Sequence, residues 1–300
     1  MTDTGRPVTV GAIVLHYRNW PAVADTLRAL AGQTRRPEHT VLVDNASADG
    51  SVAAVKAAFP ALAVVELDRN DGYAAGMNAG ATWLPDDVDF LLLLTHECVL
   101  APDALEQLEL ALREDRRCAI AGPLLGLRDS PTEVWSAGGR LGSWTGRLWH
   151  AREPAQMASW RGHPPVDVEW LDGAVLLVRA EAFRRVGLLD EWYFLYYEDL
   201  DLCLRLRRAG YRLRCVPAAQ AWQQPGSSLP YLDARNFPRL LRRNGHTVAA
   251  LLTMLTHLAA AIRDLAVMRL HRFARARLVG IVHGLSGRLD RELAATRRGP

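Results

Sequence analysis

The stretch LLLLTHECVL, residues 91–100, places four consecutive leucines directly before Thr95, His96 and Glu97. A continuous apolar run of this length is typical of a strand that is covered on both faces of a sheet. In open α/β sheets, ligands bind just beyond the carboxyl ends of such strands. The stretch therefore predicts a buried strand that delivers three polar side chains to a functional site.

The segments around this strand alternate between strand and helix patterns. Strand patterns are predicted at 8–15, 40–43, 63–67, 90–94, 174–178 and 212–216. Helical patterns are predicted after Pro21, after Pro102, at 180–187 and at 199–209. Between about 118 and 170 the pattern loosens, and SAGGRLGSWTGRLW is typical of a glycine-rich hairpin or flap. Such alternation predicts an α/β fold with a mostly parallel central sheet flanked by helices.

Length and composition restrict the class of protein. Of the 300 residues, 49% are hydrophobic, which is enough for a large core and argues against disorder. The four cysteines show no CxxC spacing, which favours reduced, buried thiols in a cytoplasmic protein over disulfides or zinc ligands. The apolar stretch at 8–15 is too short for a signal peptide or a membrane span. The composition gives no indication of nucleic-acid binding.

The charge is distributed unevenly along the chain. Residues 234–300 contain thirteen arginines and three acidic residues, a net charge of +10, which leaves −7 for residues 1–233 of the total of +3. We expect the main domain to close near residue 230, with halves at 1–100 and 101–230, and a basic helical extension to follow over 231–300.

The extension contains the apolar run Val248–Ile262, whose 15 residues fall short of the ~20 that a spanning helix needs. One interpretation is packing against the rest of the chain or against a second subunit in a homodimer. Shallow contact with an anionic membrane surface is another. A solvated charged face is the third interpretation of the basic residues.

Two polar segments follow predicted strands. Asp44 in VLVDNASADGS can accept hydrogen bonds from a sugar hydroxyl or a base, although Asp44 and Asn45 can equally form an ordinary turn. In RNDGYAAGMNAG, Asn70, Gly72 and Asn78 favour close approach of a phosphate-bearing ligand, although tight helix packing also requires small residues.

The segment YFLYYEDLDLCLRLRRAG, residues 193–210, places three carboxylates at a predicted helix N-terminus. Glu198, Asp199 and Asp201 can stabilise the helix dipole. However, aromatic neighbours partly desolvate a carboxylate and raise its basicity, which is what a general base requires. We therefore favour a catalytic role for this segment, with Arg205 available to pair with a helix carboxylate.

Taken in order, these segments resemble one protein family. VGAIVLHYRNW, the QT at 33–34, VLVDNASADGS, RNDGYAAGMNAG, THE, WLDGAVLLVRAEAFRRVGLLDE and YYEDLDLCLRLRRAG follow the order seen in family 2 glycosyltransferases, closest to the rhamnosyltransferase-like branch. The resemblance covers roughly residues 8–245. It implies a GT-A fold with a Rossmann-like sheet. It also implies inverting transfer of a sugar, with a deoxyhexose such as rhamnose as the leading candidate, from a dTDP- or UDP-sugar to an acceptor hydroxyl.

The resemblance further implies roles for individual residues. Asp199 matches the carboxylate that deprotonates the acceptor, and Glu198 is expected to orient the acceptor or hold the loop. The residues expected near the donor sugar and acceptor are Trp170, Asp172 and Gly173. The residues expected to line the nucleotide sugar are Tyr17, Asp44, Asn45, Asn70, Gly72, Asn78, Thr95 and His96.

A divalent metal, Mg²⁺ or Mn²⁺, normally assists the departing diphosphate in this family. The family's metal triplet usually ends in Asp, so that THE leaves Glu97 as the expected metal carboxylate, and Gln223 occupies a position where the family usually has a histidine ligand. These departures predict a weakened metal site. The alternative is a metal-independent enzyme in which an arginine or backbone donors stabilise the leaving group.

The altered triplet also leaves open a different class, a catalytically degraded protein that binds nucleotide-sugars or scaffolds a pathway complex. A dinucleotide-dependent oxidoreductase is disfavoured because LHYRNW lacks a glycine fingerprint. For a transferase, the acceptor can be a glycan, a lipid-linked sugar or a small molecule. A lipid-linked acceptor suits a cytoplasmic enzyme held at the inner face of the membrane by its basic tail. Trp135, Trp144 and Trp149 can form a sugar-stacking flap or a buried hairpin cluster.

Overall fold

The computed structural model describes residues 6–142, 147–151, 155–224, 226, 229–266 and 270–294. The chain divides into two compact units. Unit 1 comprises Met1–Arg140, His150–Phe194 and Glu198–Gln224. Unit 2 comprises Leu141–Trp149, Leu195–Tyr197 and Pro225–Pro300.

Unit 1 is built around one large mixed sheet. The strands described along the chain are β1 (Val10–His16), β2 (His39–Asp44), β3 (Ala63–Glu66), β4 (Phe90–Thr95), β5 (Val99–Leu100), β6 (Cys118–Leu127), β7 (Val134–Ser136), β8 (Gly139–Leu141), β9 (Leu148–His150), β10 (Val166–Asp167), β11 (Val175–Arg179) and β12 (Arg212–Gln223). The sheet has the order β10-β12-β6-β11-β4-β1-β2-β3, with β5 paired to β12 and β7 to β6, whereas β8 and β9 form a separate two-stranded sheet.

The principal strands of this sheet run mostly in one direction. The pairs β1–β2, β1–β4, β2–β3 and β6–β12 are parallel, whereas β11 is antiparallel to both β4 and β6. It follows that β3, β2, β1, β4, β6 and β12 share one direction and that β11 alone among these seven runs against it. The predicted α/β fold with a mostly parallel central sheet is confirmed.

The helices of unit 1 cover this sheet. They are α1 (Trp20–Ala31), α2 (Ser51–Ala58), α3 (Gly72–Trp83), α4 (Ala104–Glu114), α5 (Ala180–Arg185) and α6 (Glu198–Arg208). On α4, Leu105, Leu108 and Leu112 are fully buried. On α3, a Cβ at Gly76 or Gly80 would collide with Leu15 or Ile13 of β1. Part of the glycine-rich pattern in α3 therefore serves close packing of this helix on the sheet.

The prediction missed β6, which lies within the region where the sequence pattern loosens. Its ten residues CAIAGPLLGL are almost entirely buried, but Gly122 and Pro123 are residues that locally indicate a turn. The ladder accommodates the proline because its register with β12 is interrupted between Val216 and Gln220, directly after the Val216–Pro123 pair. A proline lacks the N–H that an uninterrupted ladder would use. The same irregularity explains why β12 extends beyond its predicted end at residue 216.

Unit 2 is mainly helical, as predicted for the extension. Its helices are α7 (Pro230–Arg243), α8 (Thr247–Ala266), α9 (His271–Ser286) and α10 (Arg291–Ala294). Helix α8 has 20 residues, so the prediction that its apolar run is too short for a membrane span was wrong about length. By length and composition, α8 is the one helix among the described residues that could cross a membrane.

The four cysteines lie in unit 1 and are free and buried, as predicted. Burial raises the pKa of the Cys98 and Cys215 thiols to about 12 and that of Cys118 to about 11. These thiols are therefore protonated at neutral pH and chemically inert.

Candidate active site

Neighbouring parallel strands of unit 1 bring their carboxyl ends to one edge of the sheet. The register pairs His16 at the end of β1 with Asp44 at the end of β2. Beyond the strands, Asn45 N–H donates to His16 O over 2.8 Å. On the other side of β1, the parallel strand β4 ends at Thr95 and is followed by His96. Four of the residues predicted to line the nucleotide sugar therefore meet at this edge.

The loops around this edge contain strained backbone. Non-glycine residues with positive φ occur after β1, after β2 and before α6, namely Arg18 (60°), Asn19 (66°), Ala46 (58°), Ala48 (49°) and Phe194 (67°). Such conformations cost about 1–3 kcal/mol each and are concentrated at functional sites. This strain supports the location of the candidate active site, and the sequence pattern gave no sign of it.

The Asp44 carboxylate is buried and bound within its own loop. Its Oδ2 accepts a hydrogen bond from Ser47 N–H over 3.0 Å, and its Oδ1 accepts one from the Ser47 hydroxyl. Ser47 Oγ in turn accepts Arg18 N–H over 2.7 Å, which links the loops after β1 and β2. Tyr17 is 37% exposed, with the Arg18 guanidinium 4.9 Å from its ring centre. The hydrogen bonds of Asp44 are those of an ordinary turn, as one of the two interpretations predicts. Contact of Asp44 with a nucleobase stays a prediction.

His16 is a buried residue that the sequence analysis did not select. Its Nε2 lies 2.7 Å from Ser51 Oγ, and its ring packs edge-on against His96 with centroids 5.2 Å apart. Burial, together with the neighbouring His96, lowers the pKa of His16 to about 4, so that the ring is neutral at pH 7. Its Nδ1 has no hydrogen-bond partner in the described part of the chain. Its place at a strand end beside Asp44 is the signal that could have found it.

Asn45 connects the loop after β2 to the turn at 70–72. Its Nδ2 donates to Gly72 O over 3.0 Å, and its Oδ1 accepts Asp71 N–H over 3.2 Å. Within the turn, Asn70 Oδ1 accepts Gly72 N–H over 2.9 Å. Gly72 has φ +91°, and a Cβ there would collide with Phe194 O, so glycine is required. These contacts bring three predicted nucleotide-binding residues into one cluster.

Asn78 on α3 binds the segment that precedes α6. Its Nδ2 donates to Leu189 O over 2.9 Å and to Glu191 Oε1 over 3.0 Å, and its Oδ1 accepts Leu189 N–H over 3.1 Å. The buried amide therefore fixes this segment in place. Direct contact of Asn78 with the nucleotide stays a prediction.

Asp199 is held at the N-terminus of α6 by two backbone amides. Gly173 N–H donates to Asp199 Oδ2 over 2.8 Å, and Leu200 N–H donates to Oδ1 over 2.7 Å. The Tyr73 hydroxyl donates to Gly173 O over 2.6 Å. A Cβ at residue 173 would lie only 3.0 Å from Asp199 Cβ and 3.2 Å from the Tyr73 hydroxyl. Gly173 and Asp199, both predicted, therefore form one connected group with Tyr73, which the sequence analysis did not select.

The environment of Asp199 makes it more basic than an ordinary aspartate. Burial raises the pKa of Asp199 to about 6, the negative charge of Asp172 adds to the increase, and the hydrogen bonds from Gly173 and Leu200 oppose it. A carboxylate with a pKa near 6 is mostly ionised at pH 7 and still accepts a proton readily. That combination is suited to general-base catalysis.

Glu198 and Asp201, on either side of Asp199, have contrasting environments. Burial raises the pKa of Glu198 well above its usual value, the charge of Asp199 adds to this, and the protonated form is favoured. Its Oε2 has no hydrogen-bond partner among the residues that the structure describes. Asp201 instead accepts Arg205 Nε–H over 2.6 Å, so the predicted pairing of Arg205 with a helix carboxylate is confirmed. Asp201 and Arg205 are structural, which leaves Glu198 and Asp199 for the site.

Trp170 belongs to a cluster of rings in unit 1. Its ring lies edge-on to His150 at 4.6 Å between centroids, and His150 is 5.5 Å from Trp135. Trp170 is 5% exposed, which describes a packed aromatic residue, and Trp135 is half-buried. In unit 2, Trp149 is 44% exposed and stacks with Arg147. Trp144 lies outside the described residues.

The THE turn supplies the expected metal carboxylate and few other donors. The Glu97 side chain is 43% exposed, and its Oε1 lies 3.6 Å from His96 Nε2. The antiparallel pairing of β12 with β5 ends at Trp222 opposite Val99, and Gln223 follows Trp222 as the last residue of β12, where it pairs with Leu127 of β6. No group of three or more His, Cys, Asp or Glu side chains within the described ranges could hold a metal ion. Because Mg²⁺ is often held by one or two carboxylates with substrate phosphates and water, Glu97 fits a reduced site completed by the donor.

A polar cavity of about 410 Å³ lies elsewhere in unit 1. Its lining includes Arg140, Asp167, Glu169, Arg207 and Arg212, and none of the predicted site residues belongs to it. The chemistry at the carboxyl edge of the sheet therefore locates the site better than cavity volume does.

Unit 1 contains a mostly parallel sheet with acidic side chains at its carboxyl edge, and a carboxylate of raised pKa stands at the start of α6. Together these features define an α/β glycosyltransferase of the GT-A type. Residues 12–166 match the family model described as Glycosyl transferase family 2, and residues 90–273 match Glycosyl transferase family group 2. Because each match covers more than half of the chain, the chain belongs to the family 2 glycosyltransferases. It is an enzyme of the hexosyltransferase class.

Characterised relatives agree with this assignment. The chain is 28% identical over 233 residues to the N-acetylglucosaminyl-diphospho-decaprenol L-rhamnosyltransferase of Mycobacterium tuberculosis, covering 69% of this chain and 73% of the relative. It is 54% identical over 54 residues to the rhamnosyltransferase WbbL of Escherichia coli K12, covering 18% and 20% of the two chains. The fold is similar to that of a mannosyltransferase from Pyrobaculum calidifontis solved with GDP-Man and Mn²⁺. That match has a TM-score of 0.57 and 15% identity and covers 94% of this chain and 88% of the other.

Proposed function

We propose that this enzyme transfers a deoxyhexose such as rhamnose from a dTDP- or UDP-sugar to an acceptor hydroxyl, with inversion and with Asp199 as the general base. The observation that carries the proposal is the Asp199 carboxylate, raised in pKa to about 6 and fixed by Gly173 and Leu200. The rhamnosyltransferase relatives support the choice of sugar.

The reaction is a single displacement at the anomeric carbon. As the acceptor oxygen forms its bond to that carbon, its proton passes to Asp199, and the bond from the carbon to the donor diphosphate breaks with its electron pair. Attack from the face opposite the leaving group inverts the configuration. The fixed geometry of Asp199 supports this role because a general base must lie within hydrogen-bond reach of the proton that it removes.

Glu198 contributes to the same site in its neutral form. A protonated carboxyl can donate a hydrogen bond, which an ionised one cannot. We propose that Glu198 orients the acceptor, and that a protonated Glu198 keeps a second negative charge away from Asp199.

The opposite side of the site must accommodate the departing diphosphate. Glu97 would hold Mg²⁺ or Mn²⁺ there, and the positive charge of the ion would offset the charge of the leaving group. Thr95 and His96 adjoin this position on the chain, and Gln223 would add at most a neutral ligand.

We further propose a lipid-linked sugar as the acceptor, with the enzyme acting at the cytoplasmic face of a membrane. The name of the mycobacterial relative specifies a diphospho-decaprenol-linked substrate. The basic unit 2 is compatible with this location. A glycan or small-molecule acceptor and a homodimeric state are the alternatives to these two features.

A second candidate function is binding of a nucleotide sugar without transfer. The altered THE triplet and Gln223 favour it. The ordered surroundings of Asp199 favour catalysis, because a protein that only binds the donor has no use for a basic carboxylate there.

The test compares donor binding with turnover in the same samples. Binding of dTDP- and UDP-sugars is measured by calorimetry with Mn²⁺, Mg²⁺ or EDTA. Turnover is measured as release of nucleoside diphosphate from dTDP-rhamnose with a prenyl-diphosphate-linked N-acetylglucosamine acceptor. We expect Asp199→Asn to retain donor binding and to lower kcat about 10²–10⁴-fold. The exposed Asp68→Asn is the matched control and is expected to behave as wild type.

The outcomes separate the two candidate functions and the two roles of carboxylates. Donor binding without turnover by the wild type would favour the binding protein. Equal turnover by Asp199→Asn would remove Asp199 as the base. We expect Glu97→Ala and EDTA each to weaken donor binding, and binding that is indifferent to both would remove the metal from the mechanism.

A further inference from the structure

The polar and apolar faces of α8 in unit 2 are inverted relative to an ordinary surface helix. Its buried side consists of small residues and one acid, namely Ala249, Ala250, Ala261 and Asp264. Its exposed side carries seven large apolar residues that are 40–70% exposed, namely Val248, Leu251, Leu252, Leu255, Leu258, Ile262 and Leu265. Their spacing of three and four residues places them in one stripe along the helix.

The orientation of α8 within unit 2 is fixed by a buried polar cluster. Asp264 is fully buried, and its Oδ2 lies 3.2 Å from Arg277 Nε on α9. Arg277 Nη1 also lies 3.1 Å from His257 Nδ1 on α8. Rotating α8 to bury its leucines would expose these groups and break the ion pair. The apolar stripe therefore faces outward as a consequence of the fold of unit 2.

The stripe continues onto α9. Leu278, Val282 and Leu285 of α9 are 37–62% exposed. Leu251 of α8 and Leu285 of α9 both line a groove of about 270 Å³ within unit 2. We call the exposed apolar residues of α8 and α9 named above the outer face of unit 2. An apolar surface of this extent indicates an interaction site.

The exposed charged side chains that the structure describes in the helices of unit 2 have one sign. Among the described side chains from 229 to 291, the exposed charged residues are all arginines, namely Arg242, Arg243, Arg263, Arg272, Arg275, Arg288 and Arg291. Arg242 lines the same groove as Leu251 and Leu285. An apolar face on a unit whose exposed charges are arginines is the arrangement that binds an anionic lipid surface. Two copies meeting through this face would instead bring two arginine-rich surfaces together, which opposes self-association.

We propose that the outer face of unit 2 docks on an anionic lipid bilayer, with α8 lying in the plane of the interface. The leucine side chains enter the boundary of the acyl chains, and the arginines contact the lipid phosphates. An interfacial position suits α8 better than a span, because a span would carry the Asp264–Arg277 pair into the hydrocarbon region, where charges are costly. The proposal rests on the membrane location given under the proposed function and names the surface that provides it, and its test requires no donor.

The test is co-sedimentation of the full chain with vesicles of phosphatidylcholine alone or with roughly 30% phosphatidylglycerol. We expect tighter binding to the anionic vesicles, reversed by high salt. Leu251→Gln/Leu255→Gln/Ile262→Gln should weaken binding about tenfold or more, and Arg242→Gln/Arg243→Gln should weaken it on anionic vesicles only. Leu110→Gln, at a 43% exposed leucine on α4 of unit 1, is the matched control and should bind as wild type.

Four results would overturn the proposal. The first is a wild type that binds neither kind of vesicle, and the second is a triple variant Leu251→Gln/Leu255→Gln/Ile262→Gln that binds as well as the wild type. The third is a dimer that the triple variant converts to a monomer, without any vesicle binding. The fourth is a protein that stays on the membranes after alkaline carbonate, which marks a spanning helix. Circular dichroism confirms that each variant is folded. Donor binding, measured separately, keeps failure of the proposed sugar transfer distinct from failure of this surface.

Discussion

The carboxyl edge of the sheet in unit 1 and the outer face of unit 2 distribute polar groups in opposite ways. At the edge of the sheet, buried leucines of β4 end at polar side chains that a ligand can reach. In α8, the polar groups Asp264 and His257 point into unit 2 and the leucines point outward. Polar groups at the edge of the sheet are accessible to a ligand, whereas those of α8 hold the helix in place within unit 2. Substitutions in the two regions should therefore fail in different assays.

The largest effect on stability is expected inside unit 2. In Arg277→Ala, the buried Asp264 carboxylate keeps an ion pair only with the exposed Arg263. Breaking a buried ion pair lowers the free energy of unfolding by about 3–5 kcal/mol. Arg263→Ala removes the exposed partner of the same carboxylate and should cost about 1 kcal/mol or less. Urea unfolding of both variants measures the difference. Equal losses would contradict the supporting role of the buried pair.

A pH-dependent effect is expected at Glu198 in unit 1. Its pKa is raised above 4.5 in the folded protein, so the folded state holds the proton more tightly than the unfolded chain does. The stability of the wild type should then fall as the pH rises above 4.5 towards the folded pKa, by up to about 1.4 kcal/mol per pH unit. Glu198→Gln lacks this group, so its stability relative to wild type should increase with pH.

Urea unfolding at several pH values, with the exposed Glu114→Gln as control, measures this difference for Glu198. A difference between Glu198→Gln and wild type that does not change between pH 5 and 8 would show that the buried carboxyl is not protonated in the fold.

A smaller effect is expected at Tyr73, which acts as a positioning residue through Gly173. Tyr73→Phe removes the donor to Gly173 O and leaves that carbonyl without its hydrogen bond, at a cost of about 1 kcal/mol. We expect kcat to fall about fivefold with KM for the donor unchanged. Tyr17→Phe, at a 37% exposed residue predicted to line the nucleotide sugar, should change KM for the donor rather than kcat. The reverse pattern would show that Tyr73 contacts the nucleotide instead of supporting the base.

The alternation of strands and helices, the Arg205 ion pair and the buried cysteines could be predicted from local patterns. Each depends on residues close in sequence or on composition. Strand β6 could not be predicted, because Gly122 and Pro123 locally indicate a turn and only the interrupted pairing with β12 admits them. The antiparallel direction of β11 is likewise a property of the assembled sheet.

The candidate site was predictable as a set of positions but not as a set of contacts. Asp199 and Gly173 are 26 residues apart, and only the fold reveals their hydrogen bond. The same holds for the bonds of Asn78 to the segment at 189–191 and for the role of Tyr73. The sequence did not predict the length of α8 or the outward direction of its apolar face. Its leucines indicate a buried helix, and only the pairing of Asp264 with Arg277 shows that the opposite face is the buried one.

The most direct test of Asp199 as the general base is the pH dependence of kcat/KM for the wild-type enzyme. This parameter reports ionisation of the free enzyme, and the diphosphate diester of a nucleotide sugar does not titrate near pH 6. With dTDP-rhamnose as donor, we expect a plateau at and above pH 7 and a fall approaching tenfold per pH unit below about pH 6, the pKa of Asp199. A profile that stays flat from pH 7 to pH 5 would contradict the assignment.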